Sequence, residues 1–334
     1  MSPSLPFALI ICTYNRPTAL RKLLHTVLQQ TCKPSSIVII DASEGSLQVD
    51  FFQEFDGLPI DYYVAEPHEK GLTRQRNAGI QRVKQSVEVV CFVDDDCLLS
   101  PTYFEQLNQA YLQHPEAIGI GGYISNEAQW EQYDPQKHQA KSHFILDGYA
   151  RAEAWRLRLR KAIWLGPNKP PGIWEEAGHT RSIGYLPPTG RIYPVDFLMG
   201  GVSSFKASIF KQHVFSTYFE GYGLYEDLEF CLRIRELGSL YVATAATLEH
   251  WHEPAGRPNQ FKYGQMVVRN GWLIRHTYSQ QKRVISTVKW HVNTILLSFL
   301  LLSKPTSKAH WAELLGRMAG LFSLVYATPQ FPSK

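Results

Sequence analysis

Phe7-Ala-Leu-Ile-Ile-Cys12 is an unbroken apolar run of strand length. Such a run needs cover on both faces, the condition of a strand inside a parallel sheet. A helical pattern follows, with Leu20, Leu23, Leu24, Val27 and Leu28 recurring on one face. Pro17 sits near its start, where a missing N–H costs nothing. Strands at Ser36 to Ile40 and Ile60 to Ala65, a helix from about Leu72 to Lys84 and a strand at Val87 to Val93 continue the alternation. Strand and helix in this rhythm predict an α/β fold built on an open sheet flanked by helices.

The strand ending at Val93 runs directly into Asp94-Asp95-Asp96. The next helix has its own start signal, Ser100 before Pro101 with Glu105 in the first turns, so the three acids are not needed to cap it. From about Tyr123 to Val195 the rhythm stops, in a stretch rich in Trp, Tyr, Arg and Pro that reads as a long irregular insertion. Order resumes at Val195 to Met199, followed by Gly200-Gly201, a helix from about Tyr225 to Leu237 stopped by Gly238, and a short strand at Tyr241 to Ala243 that leads to Glu249-His-Trp-His252. Beyond Pro258 the chain is helical in character, and its last helix, about Ala309 to Tyr326, gathers Leu314, Leu315, Met318, Leu321, Phe322 and Val325 on one face.

Composition narrows the function classes. With 34 Lys and Arg against 30 Asp and Glu, the net charge of +4 over 334 residues is too small for the basic stripe that nucleic-acid binding relies on. The five cysteines have no CxxC spacing and lie mostly in apolar runs, which suits a reducing compartment. Without a charged and apolar leader, the expected location is cytoplasmic. The most apolar segment, Ile295 to Leu302, falls short of the ~20 residues that cross a bilayer. Ser286 to Leu302 reads first as a core helix and second as a membrane-facing one, which allows peripheral contact with the inner membrane face. Tyr149 to Trp164, with Arg151, Arg156, Arg158, Arg160 and Lys161, reads first as an amphipathic helix with a solvated basic face and second as a lid or acceptor surface.

In an open α/β sheet, ligands bind beyond the carboxyl ends of the strands. The residues there are Thr13-Tyr14-Asn15-Arg16, Asp41 and Asp94-Asp95-Asp96. A hydroxyl, an aromatic ring and several carboxylates on one edge suit a nucleotide with a metal-bound diphosphate. Tyr14 can face a base, Asp41 can accept from a base or ribose donor, and a carboxylate can hold Mg²⁺ or Mn²⁺. Each residue alone also has a plain reading: a polar turn for the aspartates, a solvated helix face for Arg76, and a dipole-favoured first turn for Glu226 and Asp227.

Ile10-Ile-Cys-Thr-Tyr-Asn-Arg16, Val38-Ile-Ile-Asp-Ala-Ser43, Gly71-Leu-Thr-Arg-Gln-Arg-Asn77, Val93-Asp-Asp-Asp96 and Tyr225-Glu-Asp-Leu-Glu-Phe230 stand in an order and approximate spacing that resemble the inverting glycosyltransferases of family 2, with the GT-A fold. The resemblance runs from about Phe7 to His250. It implies an open mixed sheet in a catalytic domain over residues 1–257, of which about 1–123 binds nucleotide and 124–257 serves the acceptor, with a helical extension over 258–334. It further implies that Thr13, Tyr14, Asn15, Asp41, Arg76, Asp94 and Asp95 meet the donor nucleotide, that Asp96 and His250 hold a divalent Mn²⁺ or Mg²⁺, and that Asp227, with Glu226 as second choice, is the catalytic base. His250 follows Asp227 by 23 residues, and His252 stands nearby as an alternative ligand.

The implied reaction moves one sugar from a nucleoside-diphosphate-sugar to a carbohydrate or lipid-linked glycan acceptor with inversion, in glycan or polysaccharide biosynthesis. Two departures qualify it. Val202-Ser-Ser-Phe-Lys-Ala207 lacks the Arg-rich stretch common in the family, and Gln265-Met-Val-Val-Arg-Asn270 breaks the QxxRW pattern of processive synthases, so one sugar per event is expected. The competing readings are a non-catalytic nucleotide-sugar or glycan-binding relative and a sugar nucleotidyltransferase; the latter is disfavoured because Thr13 to Pro17 contains no glycine.

Overall fold

The structure is a computed structural model and describes residues 5–252, 258–279, 284–303 and 307–331. In chain order its first elements are β1 (Phe7–Thr13), α1 (Pro17–Leu28), β2 (Ser36–Asp41), α2 (Val49–Gln53), β3 (Ile60–Val64), α3 (Leu72–Arg82), β4 (Val89–Val93), β5 (Cys97–Leu99), α4 (Tyr103–Gln113) and β6 (Ala117–Ile124). Then come β7 (Glu131–Gln132), β8 (His143–Leu146), β9 (Tyr149–Ala152), α5 (Trp155–Ala162), β10 (Ile192–Val195), β11 (Val202–Lys206), α6 (Glu226–Ile234) and β12 (Ser239–His250). The last three are α7 (Gln260–Tyr278), α8 (Val284–Phe299) and α9 (Lys308–Tyr326).

Contacts divide the chain into two compact units, Met1–Gln129 with Ile183–Gly256, and Trp130–Ser182 with Arg257–Lys334. The first holds a nine-stranded sheet in the order β10-β12-β6-β11-β4-β1-β2-β3, with β5 paired to β12. β4, β1, β2 and β3 run parallel, and β11 lies antiparallel between β4 and β6. β12 runs parallel to β6 and antiparallel to β10 and β5. The expected open mixed sheet flanked by helices is therefore present. β1, β2, β4 and β6 are almost wholly buried, as continuous apolar runs in a covered sheet should be. Because β11 is reversed, Val202 pairs with Val93, and Gly200-Gly201 stands at the same edge as the carboxyl ends of β1, β2, β4, β6 and β12.

Several local expectations need correction. Pro17 does open α1, but α4 begins at Tyr103 behind Thr102, and Ser100 contributes its carbonyl to the Tyr103 N–H instead of a side-chain cap. β12 spans twelve residues rather than three: its ladder with β6 shifts register between Val242 and Thr247 and then resumes, and the Thr and Ala between give little apolar alternation to read. The stretch expected to be irregular contains a three-stranded sheet in the order β7-β9-β8, followed by α5.

In the second unit α7 and α9 cross closely at glycines. A Cβ on Gly264 would meet the Glu313 carbonyl at 2.2 Å, and one on Gly316 would meet the Phe261 carbonyl at 2.0 Å. That crossing uses Gly316 and Gly320 rather than the predicted apolar face of α9, of which Leu314 is buried and Leu315, Phe322 and Val325 are exposed. The basic face expected on α5 is also only partly solvated: Arg160 is buried, its Nε donates to Asn293 Oδ1 at 3.0 Å and its Nη2 to the His179 carbonyl at 3.1 Å.

α8 is not the core helix that the sequence suggested. It turns Asn293, Thr294 and Ser298 inward and leaves most of its aliphatic side chains exposed. Val284–Ser303 also forms a helical segment of 20 residues, long and apolar enough by length and composition to cross a membrane. The expectation that no segment reaches that length fails because Ser, Thr, Asn and His are spread among the apolar residues without interrupting the helix.

His179 in this unit is within 3.3 Å of Thr294 Oγ1, and burial, with help from Arg160 and Arg317, lowers its pKa from 6.5 to about 3. Its stabilising contribution is complete above pH 6.5 and decays as pH falls toward 3, because the unfolded chain takes a proton that the folded imidazole refuses. Acidifying from about pH 7 to about pH 5 is expected to cost the second unit about 1–2 kcal/mol through this residue. His179→Gln should flatten that part of the profile in thermal melts; an unchanged slope would show that His179 does not control it.

Candidate active site

Thr13 ends β1 and Asp95 follows β4, and the parallel pairing of these strands brings them together. Thr13 Oγ1 donates to Asp95 Oδ2 at 2.7 Å. Arg16 Nη1 reaches Asp95 Oδ1 at 2.9 Å and Asp96 Oδ2 at 3.5 Å. Burial lifts Asp95 to about pH 6, against the opposing pull of Arg16 and the Thr13 hydrogen bond. Asn15 adopts a left-handed φ of 55° and its N–H donates to Ser43 Oγ at 2.7 Å, while Tyr14 is left exposed. This turn joins β1 to the end of β2, where Asp41 Oδ1 accepts from the Ser43 N–H at 2.8 Å and Oδ2 accepts from Tyr62 at 2.9 Å. Thr13, Asn15, Arg16, Asp41, Ser43 and Leu47 line a cleft of about 280 Å³. A larger cavity of about 750 Å³ lies among Leu5, Val87, Glu88 and Lys206, at the amino ends of β1 and β4, away from the acids.

Asp94 turns toward Gly201, and its backbone N–H donates to the Gly201 carbonyl at 3.0 Å. A Cβ on Gly201 would lie 2.1 Å from Asp94 Oδ2, so only glycine permits that approach. Gly201→Ala is expected to displace the part-exposed Asp94 carboxylate at a stability cost of no more than about 1 kcal/mol, read by urea denaturation.

Arg76, on the buried side of α3, lies 2.7 Å from Glu226 Oε1 and 3.6 Å from Asp94 Oδ1, above the rings of Phe215 and Phe92. Burial opposes its charge, but the two carboxylates more than offset this and raise its pKa. Burial and neighbouring Asp227 push the Glu226 carboxyl up, against the pull of Arg76. Glu226 and Asp227 form the first turn of α6, whose N-cap Tyr225 has a left-handed φ of 75°. That conformation is strained for a bulky side chain, as backbone at functional sites often is. Asp227 is half-buried, and its Oδ2 accepts from the Gly200 N–H at 3.1 Å and its Oδ1 from the Leu228 N–H at 2.7 Å. Burial raises its pKa and these backbone donors restrain the rise.

β5 brings His250 to the acids, because Cys97 pairs with His250 across β12. His250 Nε2 lies 3.1 Å from Asp96 Oδ1, and its Nδ1 lies 3.5 Å from Glu127, which in turn meets His252 Nε2 at 2.8 Å. Burial disfavours the imidazolium, but hydrogen bonds to Asp96 and Glu127 raise its pKa to about 10. Among the described residues two groups have donor atoms within 4.8 Å of one another: Asp96, Cys97 and His250, and Glu127, His250 and His252. Cys97 is fully buried on β5, whereas Glu127, His250 and His252 are at least partly open to solvent, so the reachable donors are mainly carboxylates and imidazoles. Such a set of oxygen and nitrogen donors can hold a divalent cation.

The sequence-predicted residues thus form three linked groups: Thr13, Asn15 and Asp41 at the cleft, Asp95 and Asp96 with Arg16 and His250, and Arg76 with Asp94, Glu226 and, through Gly200, Asp227. Tyr14 stands exposed beside the first. Glu127 and Tyr62 were missed by sequence reasoning. Glu127 follows the carboxyl end of β6, so the strand-end rule that singled out Asp41 would have found it had Ala117–Ile124 been read as a strand.

Residues 8–169 match the family model described as glycosyl transferase family 2. The chain is 25% identical over 167 residues to the putative glycosyltransferase EpsH of Bacillus subtilis, covering 47% of each. It is 26% identical over 122 residues to the glucosyl-dolichyl phosphate glucuronosyltransferase of Haloferax volcanii, covering 35% of this chain and 37% of that one. A match of 25% over 167 residues to the validoxylamine A glucosyltransferase of Streptomyces hygroscopicus covers 49% of this chain and 35% of the other. The chain therefore spans about half or less of the length of these curated relatives. The crystal structure of GalNAc-T7 with UDP, GalNAc and Mn²⁺ superposes with a TM-score of 0.54 at 15% identity, covering 99% of this chain and 60% of that one, which establishes a shared GT-A fold. Residues 8–169, which carry the cleft and the strand-end acids and make up just under half of the chain, match glycosyltransferase family 2.

Proposed function

We propose that this glycosyltransferase moves one sugar from a nucleoside-diphosphate-sugar to an acceptor hydroxyl with inversion, in glycan or polysaccharide biosynthesis, with Asp227 as general base. The observation that carries the reading is the contrast between two adjacent carboxylates. Glu226 is buried and engaged by Arg76, whereas Asp227 is half-open and held in place by two backbone N–H groups. An oriented carboxylate with a raised pKa is what a base near neutral pH requires.

In the proposed reaction Asp227 takes the proton of the acceptor hydroxyl while its oxygen bonds to the anomeric carbon, and the bond from that carbon to the diphosphate breaks. The cleft between Thr13 and Asp41 receives the nucleoside, with Tyr14 exposed at its side for the base. Arg76 acts here through Glu226 and Asp94 as a positioning residue. Asp96 and His250 are the residues to hold a divalent metal, with Glu127 and His252 adjacent. A bound metal supplies Lewis-acid neutralisation of the charge that grows on the departing diphosphate. The likeness in fold to a transferase crystallised with UDP, GalNAc and Mn²⁺ supports a nucleotide and a metal as ligands. A cytoplasmic location belongs to the same reading, from five cysteines that have no CxxC spacing and lie mostly in apolar runs.

Thermal unfolding with UDP, GDP, dTDP or CMP, each with Mn²⁺, Mg²⁺ or EDTA, tests the donor and metal together. One nucleotide is expected to stabilise the protein by about 2.7 kcal/mol at ~100 times its Kd, only with metal. Asp96→Ala should abolish the shift. A folded protein that responds to no nucleotide would favour a non-catalytic relative.

A further inference from the structure

α8 is built inside out. Ile285, Val288, Val292, Ile295 and Phe299, at alternating spacings of three and four, form a stripe on one helix face, and each is 42–70% exposed. The face turned into the second unit is polar and fixed, with Asn293 bonded to Arg160, Thr294 beside His179, and Trp290 against Gly178. A soluble helix places its apolar stripe on the core. α9 repeats the arrangement with Trp311, Leu315, Phe322 and Tyr326 exposed.

Charge distinguishes the possible occupants of this face. The second unit carries 20 Lys and Arg against 7 Asp and Glu, a net +13, whereas the first carries 14 against 23, a net −9. The weak overall charge therefore conceals a strongly basic unit. Residues 284–303 contain no acid. Arg156 of α5 donates to Ser303 at 3.1 Å, which brings a cation and neighbouring exposed Trp155 to the carboxyl end of the α8 segment. An apolar stripe with cationic and aromatic flanks matches an anionic lipid interface. A second copy would bring two units of +13 together, which repel.

We propose that the second unit docks on an anionic lipid bilayer through the exposed stripe of α8, with the helix lying in the plane of the interface. The helix lies on the membrane and does not cross it, because its opposite face is occupied by polar contacts within the unit. The interaction goes beyond sugar transfer and does not depend on it.

The test is flotation of the full chain with vesicles of phosphatidylcholine and phosphatidylglycerol, and with phosphatidylcholine alone. The protein is expected to float with the anionic vesicles at least about tenfold more than with neutral ones, and to be released by high salt or alkaline carbonate. V288N/V292N/I295N should lose at least about tenfold of that binding with an unchanged thermal transition. Arg158→Glu, at an exposed position on α5, should weaken it without touching the stripe. Protein that stays at the bottom with both vesicle types overturns the proposal, as does equal flotation with both. Resistance to carbonate overturns it in favour of a spanning helix. A lipid-free dimer that the triple substitution dissociates, without flotation, overturns it in favour of a second copy.

Discussion

Asp227→Asn is expected to lower the turnover number by about 10²–10⁴-fold while leaving the protein folded and nucleotide affinity nearly unchanged. Asparagine keeps the size but has only one acceptor oxygen, so it retains either the Gly200 or the Leu228 N–H bond and turns its amide NH2 toward the other, at a cost of about 1 kcal/mol in stability. What is lost is the ability to take a proton, and a loss of that size corresponds to about 3–5 kcal/mol in the barrier. Nucleotide binding should survive because the cleft between Thr13 and Asp41 contains neither member of the Glu226–Asp227 pair. Single-turnover transfer and nucleotide binding, measured on the same preparation, separate the two effects. Full activity in Asp227→Asn together with its loss in Glu226→Gln would move the base to Glu226.

The largest expected effect on stability is at Arg76. Removing one partner of a buried ion pair leaves the other charge uncompensated, which costs about 3–5 kcal/mol. Arg76→Met preserves much of the volume against Phe92 and Phe215 but strands Glu226 and Asp94 without their cation. Adding Glu226→Gln should recover much of the loss, because a neutral amide is easier to bury than a carboxylate. Urea denaturation of the two single variants and the double variant gives the coupling directly. A loss of less than about 1 kcal/mol in Arg76→Met would mean that packing, not charge pairing, holds α3 against α6.

These expectations rest on a site that the sequence revealed unevenly. Phe7–Thr13, Ser36–Asp41 and Val89–Val93 were legible because buried parallel strands are written as continuous apolar runs, and Asp41 and Asp94 to Asp96 then fell at strand ends. The link between His250 and Asp96 was not legible in the residues themselves. It depends on Cys97–Leu99, a three-residue strand, and on β12, whose central Thr and Ala carry almost no pattern. Resemblance supplied His250 where periodicity had no purchase. Arg76 looked like a surface cation because helix spacing alone does not say which face meets Glu226, 150 residues away. The second unit was least readable. Its strands are two to four residues long, and the polar inner face of α8 reverses the usual relation between apolarity and burial.

The placement of β11 beside β4 also bears on synthesis at the ribosome. β4 emerges with β1 to β3 already available on one side, but its other neighbour is β11, about a hundred residues further along the nascent chain. At about 5–20 residues per second that edge waits for ~5–20 s. Val89-Val-Cys-Phe-Val93 is wholly apolar, and an open edge of that kind is a template for pairing with another chain. Residues 130–182 are made during the wait, and none of their strands belongs to the nine-stranded sheet. Yield on overexpression should therefore depend on chaperone supply and translation rate more than the stability of the finished protein would suggest.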